Sequence, residues 1–426
     1  MNNLYKLEPG MITLFVTDMC NMRCKYCFEE NKPIKGKMMT FDIAKKAIDL
    51  LLKNNKNYKG IDLFGGEPTL NSKLLKEIIE YCKTNEKTKE IHFKISSNLY
   101  QLNDEIVEIL KEYQNVLGKG NFGITVSLDG TKELNDKNRV DINGNGTFDK
   151  IINNIKLLKK EIPQVFIQIH CVLADNNLKH TKEILEFLLN SKCTGLVDNV
   201  SIAPITSDTT EIIPKYEDIK EIYKTYWELI DSGKNDNNFI NGLFGNYILR
   251  VGDAPKKISC CSAGKEQFAV APDGEILVCH RYIEHKDESC SLGNIKDMRN
   301  CIYIDKNSEY YKKYIAQEWT KDVKNFCGID CNKCVVNHLC HMCVGGNELA
   351  NKDISINSEQ KCERALRLAE VQTNIKLERV QKENNEILRK IQESLNLMIQ
   401  GQIRMAELLL GGSIDDNKEN SSSDVD

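Results

Sequence analysis

Three closely spaced cysteines near the N-terminus are the residues whose types and spacing most clearly suit chemistry. Cys20, Cys24 and Cys27 form a C-x3-C-x2-C triplet that follows an apolar run at residues 11–16. Three thiolates on one short loop can hold three corners of a [4Fe–4S] cube and leave the fourth iron without a protein ligand. An iron without a protein ligand has a free coordination site, at which a reacting molecule can bind. The triplet alone also suits a zinc loop, so it leaves both metals open.

A glycine-rich motif after the next apolar strand favours the iron–sulfur interpretation. Residues 61–68, IDLFGGEP, are predicted to form a strand that ends at Gly65, Gly66 and Glu67. A ligand can approach a glycine backbone closely because glycine has no Cβ atom. The cysteine triplet followed by a strand and GGEP resembles the radical S-adenosylmethionine (SAM) superfamily, and the resemblance covers about residues 10–210.

This resemblance implies a [4Fe–4S] cluster whose open iron binds the amino and carboxylate groups of SAM. Reductive cleavage of SAM would give methionine and a 5′-deoxyadenosyl radical, which the protein positions and shields from water. An electron donor such as flavodoxin or ferredoxin is implied as a partner. The family pattern places Tyr26 beside adenine and assigns further cofactor contacts to Gly65, Gly66, Glu67, Ser97, Asn98, Ser127, Asp129 and Arg139. The alternatives are an ordinary packing role for the tyrosine and turn-forming roles for the others.

Alternating strand and helix patterns in the first half predict the elements that must position these residues. Apolar residues recur at three- and four-residue intervals in the helical stretches, and Thr40 and Asn103 are predicted N-caps. We expect strands at residues 11–17, 60–64, 90–97, 123–128, 164–173 and 198–205, and helices at 40–54, 72–84, 103–113, 148–161 and 180–190. Six such β-α units predict an α/β fold, a partial (β/α)6 TIM-type barrel, whose ligands gather at the C-terminal strand ends.

The cysteines of the second half predict a separate metal-bearing domain. Cys261 is followed by a G-x4-C motif at Cys279, by a C-x2-C-x5-C-x2-C run and by Cys362. The run alone suits zinc nearly as well as iron–sulfur. The whole pattern resembles a SPASM domain, which implies two auxiliary [4Fe–4S] clusters. One would use Cys331, Cys334, Cys340 and Cys362; the other would use Cys261, Cys279 and Cys343, with its fourth ligand left open between Cys260, Cys327 and a substrate thiolate.

These patterns give a domain organisation. We expect the barrel at residues 1–210, a helical linker at 211–255, the SPASM-like domain at 256–364, a C-terminal helix at 365–411 and a disordered tail at 412–426. The last helix carries a near-heptad apolar stripe, so it is either a docking element or a helix packed on its own barrel. Of the remaining cysteines, Cys82, Cys171 and Cys193 are expected to be buried apolar residues, and Cys290 and Cys301 are left open.

The segment around the G-x4-C motif suggests the substrate class. CSAGKEQFAVAPDGEILVCHRY and the later LGNI resemble maturases that build thioether crosslinks in cysteine-rich ribosomal peptides. Sulfatase-maturating relatives carry an acidic residue, thought to be the proton acceptor, where this chain has His280. An imidazole can act as a base near neutral pH, and a structural histidine is the alternative. We therefore expect hydrogen abstraction from a peptide, with formylglycine formation or a non-enzymatic scaffold as alternatives.

Composition limits the partners. The net charge is −4, from 58 Lys and Arg against 62 Asp and Glu, which argues against general nucleic-acid binding. The chain has no run of 18 apolar residues and no apolar signal core, so we expect a cytoplasmic protein that is not bound to a membrane. Its 17 cysteines then favour metal ligation over disulfides. Because 19 residues precede Cys20, leader-peptide recognition is expected in the barrel, the last helix or a separate protein.

Overall fold

A computed structural model describes the chain over residues 3–204, 261–334 and 356–411, each with short gaps, and at isolated positions between 220 and 241. The strands are β1 (Leu4–Leu7), β2 (Met11–Thr17), β3 (Gly60–Gly65), β4 (His92–Ser97), β5 (Phe122–Ser127), β6 (Phe166–Leu173), β7 (Asn199–Pro204), β8 (Ile240–Asn241), β9 (Gln267–Val270), β10 (Glu275–Leu277), β11 (Ser291–Asn294), β12 (Ile302–Asp305), β13 (Lys324–Asn325) and β14 (Ile356–Asn357). The helices are α1 (Phe41–Leu52), α2 (Ser72–Thr84), α3 (Asp104–Leu117), α4 (Lys132–Asn138), α5 (Phe148–Glu161), α6 (Thr181–Cys193) and α7 (Glu359–Gly411).

A ten-stranded sheet organises the fold, in the order β11-β10-β9-β2-β3-β4-β5-β6-β7-β8. Every neighbouring pair from β9 through β2 to β8 is parallel, while β9, β10 and β11 pair antiparallel. The six predicted strands and five predicted helices are all present, and β2, α2 and α5 have the predicted bounds. The predicted α/β fold with a mostly parallel sheet is therefore confirmed.

Strand β9 shows that the sheet does not stop at the predicted end of the barrel. It comes from the predicted second domain, yet it pairs in parallel with β2, with Met11 opposite Gln267. The amides of Gly10 and Met11 both donate to the carbonyl of Glu266, at 2.8 and 2.9 Å. The N-terminal strand β1 likewise pairs antiparallel with β12. One compact unit accordingly spans Met1–Val371.

The two faces of the central strands differ in polarity. On β4, β5 and β6, buried apolar residues such as Ile95, Val126 and Ile169 alternate with partly accessible residues. Successive side chains of a strand point to opposite faces, so the accessible set shares one face. Its members are mostly polar: Lys94, Ser96, Thr125, Ser127, Gln168 and His170. The strands thus bury an apolar face and present a polar face.

Local predictions for caps and cysteines had mixed outcomes. The Asn103 side chain caps α3 by accepting a hydrogen bond from the Ile106 amide at 2.9 Å. Thr40 is the N-cap residue of α1, as predicted, with extended backbone angles, although its side chain makes no cap hydrogen bond. Cys82 and Cys171 are buried as expected, and burial raises the pKa of Cys82 to about 11. The side chain of Cys193, most of the predicted linker at 211–255 and the tail at 412–426 lie outside the described residues.

Helix α7 forms most of a second compact unit, Gln372–Asp426. It begins at Glu359, before the predicted residue 365, and ends at Gly411. Val371 and Ile375 are buried, whereas the described side chains beyond residue 380 are exposed. The near-heptad stripe belongs to this exposed part, with exposed fractions between 43% and 62% at Leu388, Ile391, Leu395, Met398 and Met405. Docking through this stripe stays a prediction.

Truncation after Glu378 should leave the rest of the protein intact. The cut keeps buried Val371 and Ile375 and removes mainly exposed side chains, so little apolar burial is lost. We expect iron content and the midpoint of thermal unfolding to match those of the full chain. If the truncated protein precipitates or loses iron, the removed helix is structural and the docking prediction fails.

Candidate functional site

The three cysteines of the triplet line one cavity at the C-terminal ends of the parallel strands. The cavity has a volume of about 440 Å³, within the range typical of small-molecule and cofactor sites. Cys20 is buried, while Cys24 and Cys27 are partly accessible. Other predicted site residues on its wall are Tyr26, Gly65, Gly66, Ser97, Asn98, Ser127, Arg139 and His280. The structure therefore brings most of the predicted cofactor site together.

The GGEP segment holds the cysteine loop by direct backbone contact. The Gly66 amide donates to the Thr17 carbonyl at 2.9 Å, and the Glu67 amide donates to the Met19 carbonyl at 2.7 Å. A Cβ on Gly65, whose φ is +129°, would lie 2.2 Å from the Thr17 carbonyl oxygen; one on Gly66 would lie 2.1 Å from that of Met19. A side chain at either position would clash with the backbone of the cysteine loop. The loop itself therefore requires glycine here, in addition to the predicted approach of a ligand.

Glu67 lies behind the cavity wall and organises it. Its carboxylate accepts hydrogen bonds from the Asn98 amide and the Ser97 hydroxyl, both at 2.7 Å, and from the Thr69 amide and hydroxyl at 3.1 and 2.7 Å. Burial raises its pKa above the ordinary value, although these hydrogen bonds oppose the shift. Glu67 therefore positions the end of β4. Its predicted contact with the amino group of SAM stays a prediction.

A buried network joins the cysteine loop to the ends of β5 and α4. The Tyr26 hydroxyl donates to Asp129, and the Arg139 Nε lies 3.1 Å from the other carboxylate oxygen of Asp129. The guanidinium carbon is 5.3 Å from the centre of the Tyr26 ring. Burial raises the pKa of Tyr26 well above its usual value, so the hydroxyl stays a donor. Breaking a buried ion pair is costly, which makes this network a rigid support for the loop.

The sulfurs of Cys20 and Cys24 accept hydrogen bonds from side-chain nitrogens. The Asn98 Nδ2 is 3.8 Å from the Cys20 Sγ, and the Arg139 Nη1 is 3.9 Å from the Cys24 Sγ. Nitrogen donors beside thiolate ligands are typical of iron–sulfur sites. No group of three or more His, Cys, Asp or Glu side chains in the described ranges is arranged for a single metal ion. Three cysteines around a cofactor-sized cavity fit a [4Fe–4S] cluster with a bound small molecule.

His280 lies on the cavity wall, 5.8 Å from the ring of Phe64 between ring centres. Burial, together with the positive charges of Arg281 and Lys94, lowers the pKa of His280 to about 4. The imidazole is therefore neutral near pH 7, and it can accept a proton but is a weak base. Its role as proton acceptor stays a prediction.

Sequence reasoning missed a polar group deeper in the same cavity. The Lys94 ammonium pairs with Asp62 at 2.8 Å, and the Ser96 hydroxyl donates to the other oxygen of Asp62 at 2.9 Å. His170 faces this group, and burial, with the nearby Arg139 charge, lowers its pKa to about 4. Asp62 and Lys94 lie opposite each other in the register of β3 and β4, which the sequence of either strand alone does not give.

The cysteines of the predicted auxiliary sites are only partly described. Cys261 and Cys279 pack against an apolar cluster that includes Cys290, Tyr282 and Tyr314, and Cys290 is fully buried there. Cys331 is buried, while Cys301, Cys334 and Cys362 are partly accessible. Cys260, Cys327, Cys340 and Cys343 lie outside the described residues. Both auxiliary ligand sets therefore stay predictions.

The membrane prediction can be checked on the helices. In the portion of the chain for which helices are described, none is both long and apolar enough to cross a bilayer.

Comparison with known proteins identifies the family. Residues 14–188 match the model of the Radical SAM superfamily. An uncharacterized protein of Methanocaldococcus jannaschii is 30% identical over 314 residues, which cover 73% of this chain and 98% of the relative. A cysteine-type anaerobic sulfatase-maturating enzyme of Clostridium novyi is 28% identical over 361 residues, covering 81% of this chain and 90% of the relative.

A solved structure has the same fold. That of anSMEcpe with bound AdoMet and Cp18Cys peptide aligns with a TM-score of 0.66 at 19% identity, covering 86% of this chain and 98% of the other. Fold, cysteine cavity and family match agree, and SAM with a [4Fe–4S] cluster is what this family implies for the cavity. The chain is an enzyme that belongs to the radical SAM superfamily.

Proposed function

We propose that this enzyme matures a ribosomally synthesised, cysteine-rich peptide by hydrogen-atom abstraction and forms a thioether crosslink. The single observation that carries the proposal is the cavity, whose wall holds the cysteine triplet together with the polar side chains of Lys94, Ser96 and His170. A peptide backbone presents carbonyls and amides, and a few placed polar groups on a cavity wall can bind and orient it by hydrogen bonds. The resemblance of the segment around Cys279 to thioether-forming maturases points to the same substrate class.

The residues of the chain have separable tasks in this proposal. When bound, the cluster and SAM supply a 5′-deoxyadenosyl radical that takes one hydrogen atom from the substrate. Gly66 and Glu67 hold the cysteine loop and the end of β4, and the pair of Asp129 and Arg139 fixes Tyr26 on the cavity wall. Lys94, Ser96 and His170 orient the peptide, since a radical reaction is productive only when the correct C–H bond lies closest.

Formylglycine formation on a sulfatase is the second candidate. The C. novyi relative is described as a sulfatase-maturating enzyme, and anSMEcpe has been solved with a bound cysteine peptide, which favours this activity. Against it, His280 occupies the place where such enzymes carry an acidic proton acceptor. We therefore rank thioether formation first.

The test is a mass-spectrometric assay with two peptides. One is a cysteine-rich peptide, chosen from any small cysteine-rich reading frame found beside the gene, and the other is a cysteine-containing peptide from a sulfatase. Thioether formation removes two hydrogens from the first peptide. Formylglycine formation replaces the sulfur of the second by oxygen and also removes two hydrogens. Modification of only the sulfatase peptide would replace the first proposal by the second, and modification of neither would overturn both.

The proposal includes two auxiliary clusters, an electron donor such as flavodoxin or ferredoxin, and a cytoplasmic location, with leader recognition in the barrel, the last helix or a separate protein. Anaerobically reconstituted protein should then contain about twelve irons per chain, because three [4Fe–4S] cubes carry four irons each. Elemental analysis checks this value directly. A result of about four irons with bound zinc would contradict the auxiliary assignment and leave only the cluster of the triplet.

Replacing Lys94 by glutamine should impair peptide processing more than peptide-independent SAM cleavage. Asp62 takes one of the three donors of the Lys94 ammonium, so the others can bind a substrate carbonyl. Loss of a hydrogen bond from a charged group costs about 1.5–3 kcal/mol, so kcat/KM for the peptide should fall roughly 10- to 100-fold. Lys150→Gln is the matched control, because Lys150 bonds the Tyr100 hydroxyl at 3.0 Å and does not line the cavity. Equal losses in both variants would argue against a peptide contact at Lys94.

A further inference from the structure

The orientation of the Asn98 side chain is fixed by its neighbours. Its Oδ1 accepts a hydrogen bond from the Tyr100 amide at 2.9 Å, which forces the amide nitrogen to the opposite side. That nitrogen lies 2.8 Å from the Asn21 Oδ1 and 3.8 Å from the Cys20 Sγ. The Asn98 backbone amide is held in turn by Glu67 at 2.7 Å. The contacts with the Tyr100 amide and with Glu67 thus fix the amide nitrogen near the cysteine sulfur, where the Asn21 oxygen is a competing acceptor.

Arg139 is fixed in a comparable way beside the second cysteine of the triplet. Its Nε lies 3.1 Å from Asp129, and its Nη1 reaches the Cys24 Sγ at 3.9 Å. Only 6% of the Arg139 side chain and none of the Asp129 side chain is exposed. The planar guanidinium can therefore face the carboxylate with one edge and the sulfur with another in a fixed geometry, whereas an ammonium group has no such rigid fork. The carboxylate offsets most of the arginine charge, so the sulfur mainly experiences a hydrogen bond.

Hydrogen bonds to cluster sulfurs have a known electrostatic effect. They draw electron density from the thiolates and so stabilise the reduced form of a cluster, which carries one more negative charge. From these contacts we propose that Asn98 and Arg139 are positioning residues that raise the reduction potential of the triplet's cluster through N–H donation to Cys20 and Cys24. This role is additional to the cofactor contacts that the family pattern assigns to them. It rests on the superfamily membership and on no assumption about the peptide.

The test is an anaerobic redox titration of the fully reconstituted protein in the absence of peptide. Electron paramagnetic resonance spectra recorded at each potential give the midpoint potentials of the clusters. The signal that changes when SAM is added identifies the cluster with the open iron. Asn98→Ala and Arg139→Lys should each make its midpoint potential more negative. Asn98→Asp should shift it further than Asn98→Ala, because a carboxylate then faces the Cys20 sulfur. SAM-independent signals should keep their wild-type midpoints.

Asn21→Ala is the matched control. It alters the residue next to Cys20 and removes the competing acceptor of the Asn98 amide, but it leaves the N–H donor to sulfur in place. Its midpoint should equal or slightly exceed that of the wild type. Wild-type midpoints in both Asn98→Ala and Arg139→Lys would overturn the proposal. So would loss of the SAM-responsive signal in both, since the two residues would then only hold the loop. The potentials are measured without peptide, so failure of the protein to process a peptide would not change them. The proposed peptide activity and the proposed role of Asn98 and Arg139 can therefore fail independently.

Discussion

The variant Cys24→Ala should form no 5′-deoxyadenosine above background when it is reconstituted with iron and sulfide and supplied with SAM and a reductant. Cys24 lies on the wall of the cavity with Cys20 and Cys27. Removing one of three thiolates leaves the cube incompletely held, so the cluster that binds SAM is lost or unreactive. Chromatographic measurement of 5′-deoxyadenosine gives the result, and an iron assay shows whether the auxiliary sites are filled.

A second cysteine variant controls for loss of a thiol as such. Cys82→Ala removes a cysteine that is buried in α2, and the raised pKa of this thiol marks it as a packing residue. It should keep SAM cleavage near the wild-type rate, with at most a small loss of stability because only one sulfur atom is removed from the core. Undiminished cleavage by Cys24→Ala would refute the assignment of the site.

Local patterns were sufficient to predict most elements of the barrel, although the short helix α4 was not among the predicted helices. Apolar periodicity located every predicted strand and helix of the first half, because each amphipathic element carries its own pattern over consecutive residues. The strand ends then indicated which polar residues share a site, since parallel strands bring their C-terminal ends together. For this reason Asn98 and Ser127 were expected at the site, and the family pattern added Arg139; all three line the cavity with the cysteines.

Pairing between distant segments was not predictable from such patterns. The strand β9 is short and apolar, and nothing in its sequence specifies β2 as its neighbour. The pair of Asp62 and Lys94 was missed for a related reason, since each residue alone is an ordinary polar position in a strand. Only the register of β3 against β4 makes them partners. The sequence identified Gly65 and Gly66 but predicted only part of their role. Their close contact with the backbone at Thr17 and Met19 joins segments that are distant in sequence, so local patterns did not indicate it.

That tertiary contact predicts a large effect for Gly66→Ala. The new Cβ would lie 2.1 Å from the Met19 carbonyl oxygen and 2.5 Å from its carbon, and both atoms belong to the backbone. A backbone cannot rotate away as a side chain can, so the loop that carries Cys20 must move. Overpacking of this kind costs about 1–3 kcal/mol in stability. We expect the variant to lose the triplet's cluster, about four irons per chain, together with its SAM cleavage.

Gly10→Ala is the matched control, because it adds the same methyl group just before β2. Its Cβ would lie 3.5 Å from the Tyr58 carbonyl oxygen, an ordinary contact, and Gly10 is not among the glycines with positive φ. Iron content and SAM cleavage of this variant should match those of the wild type. If Gly66→Ala retains its full iron and cleaves SAM at the wild-type rate, the loop is not held by the GGEP segment. The close approach would then matter for a bound ligand alone, as the sequence first suggested.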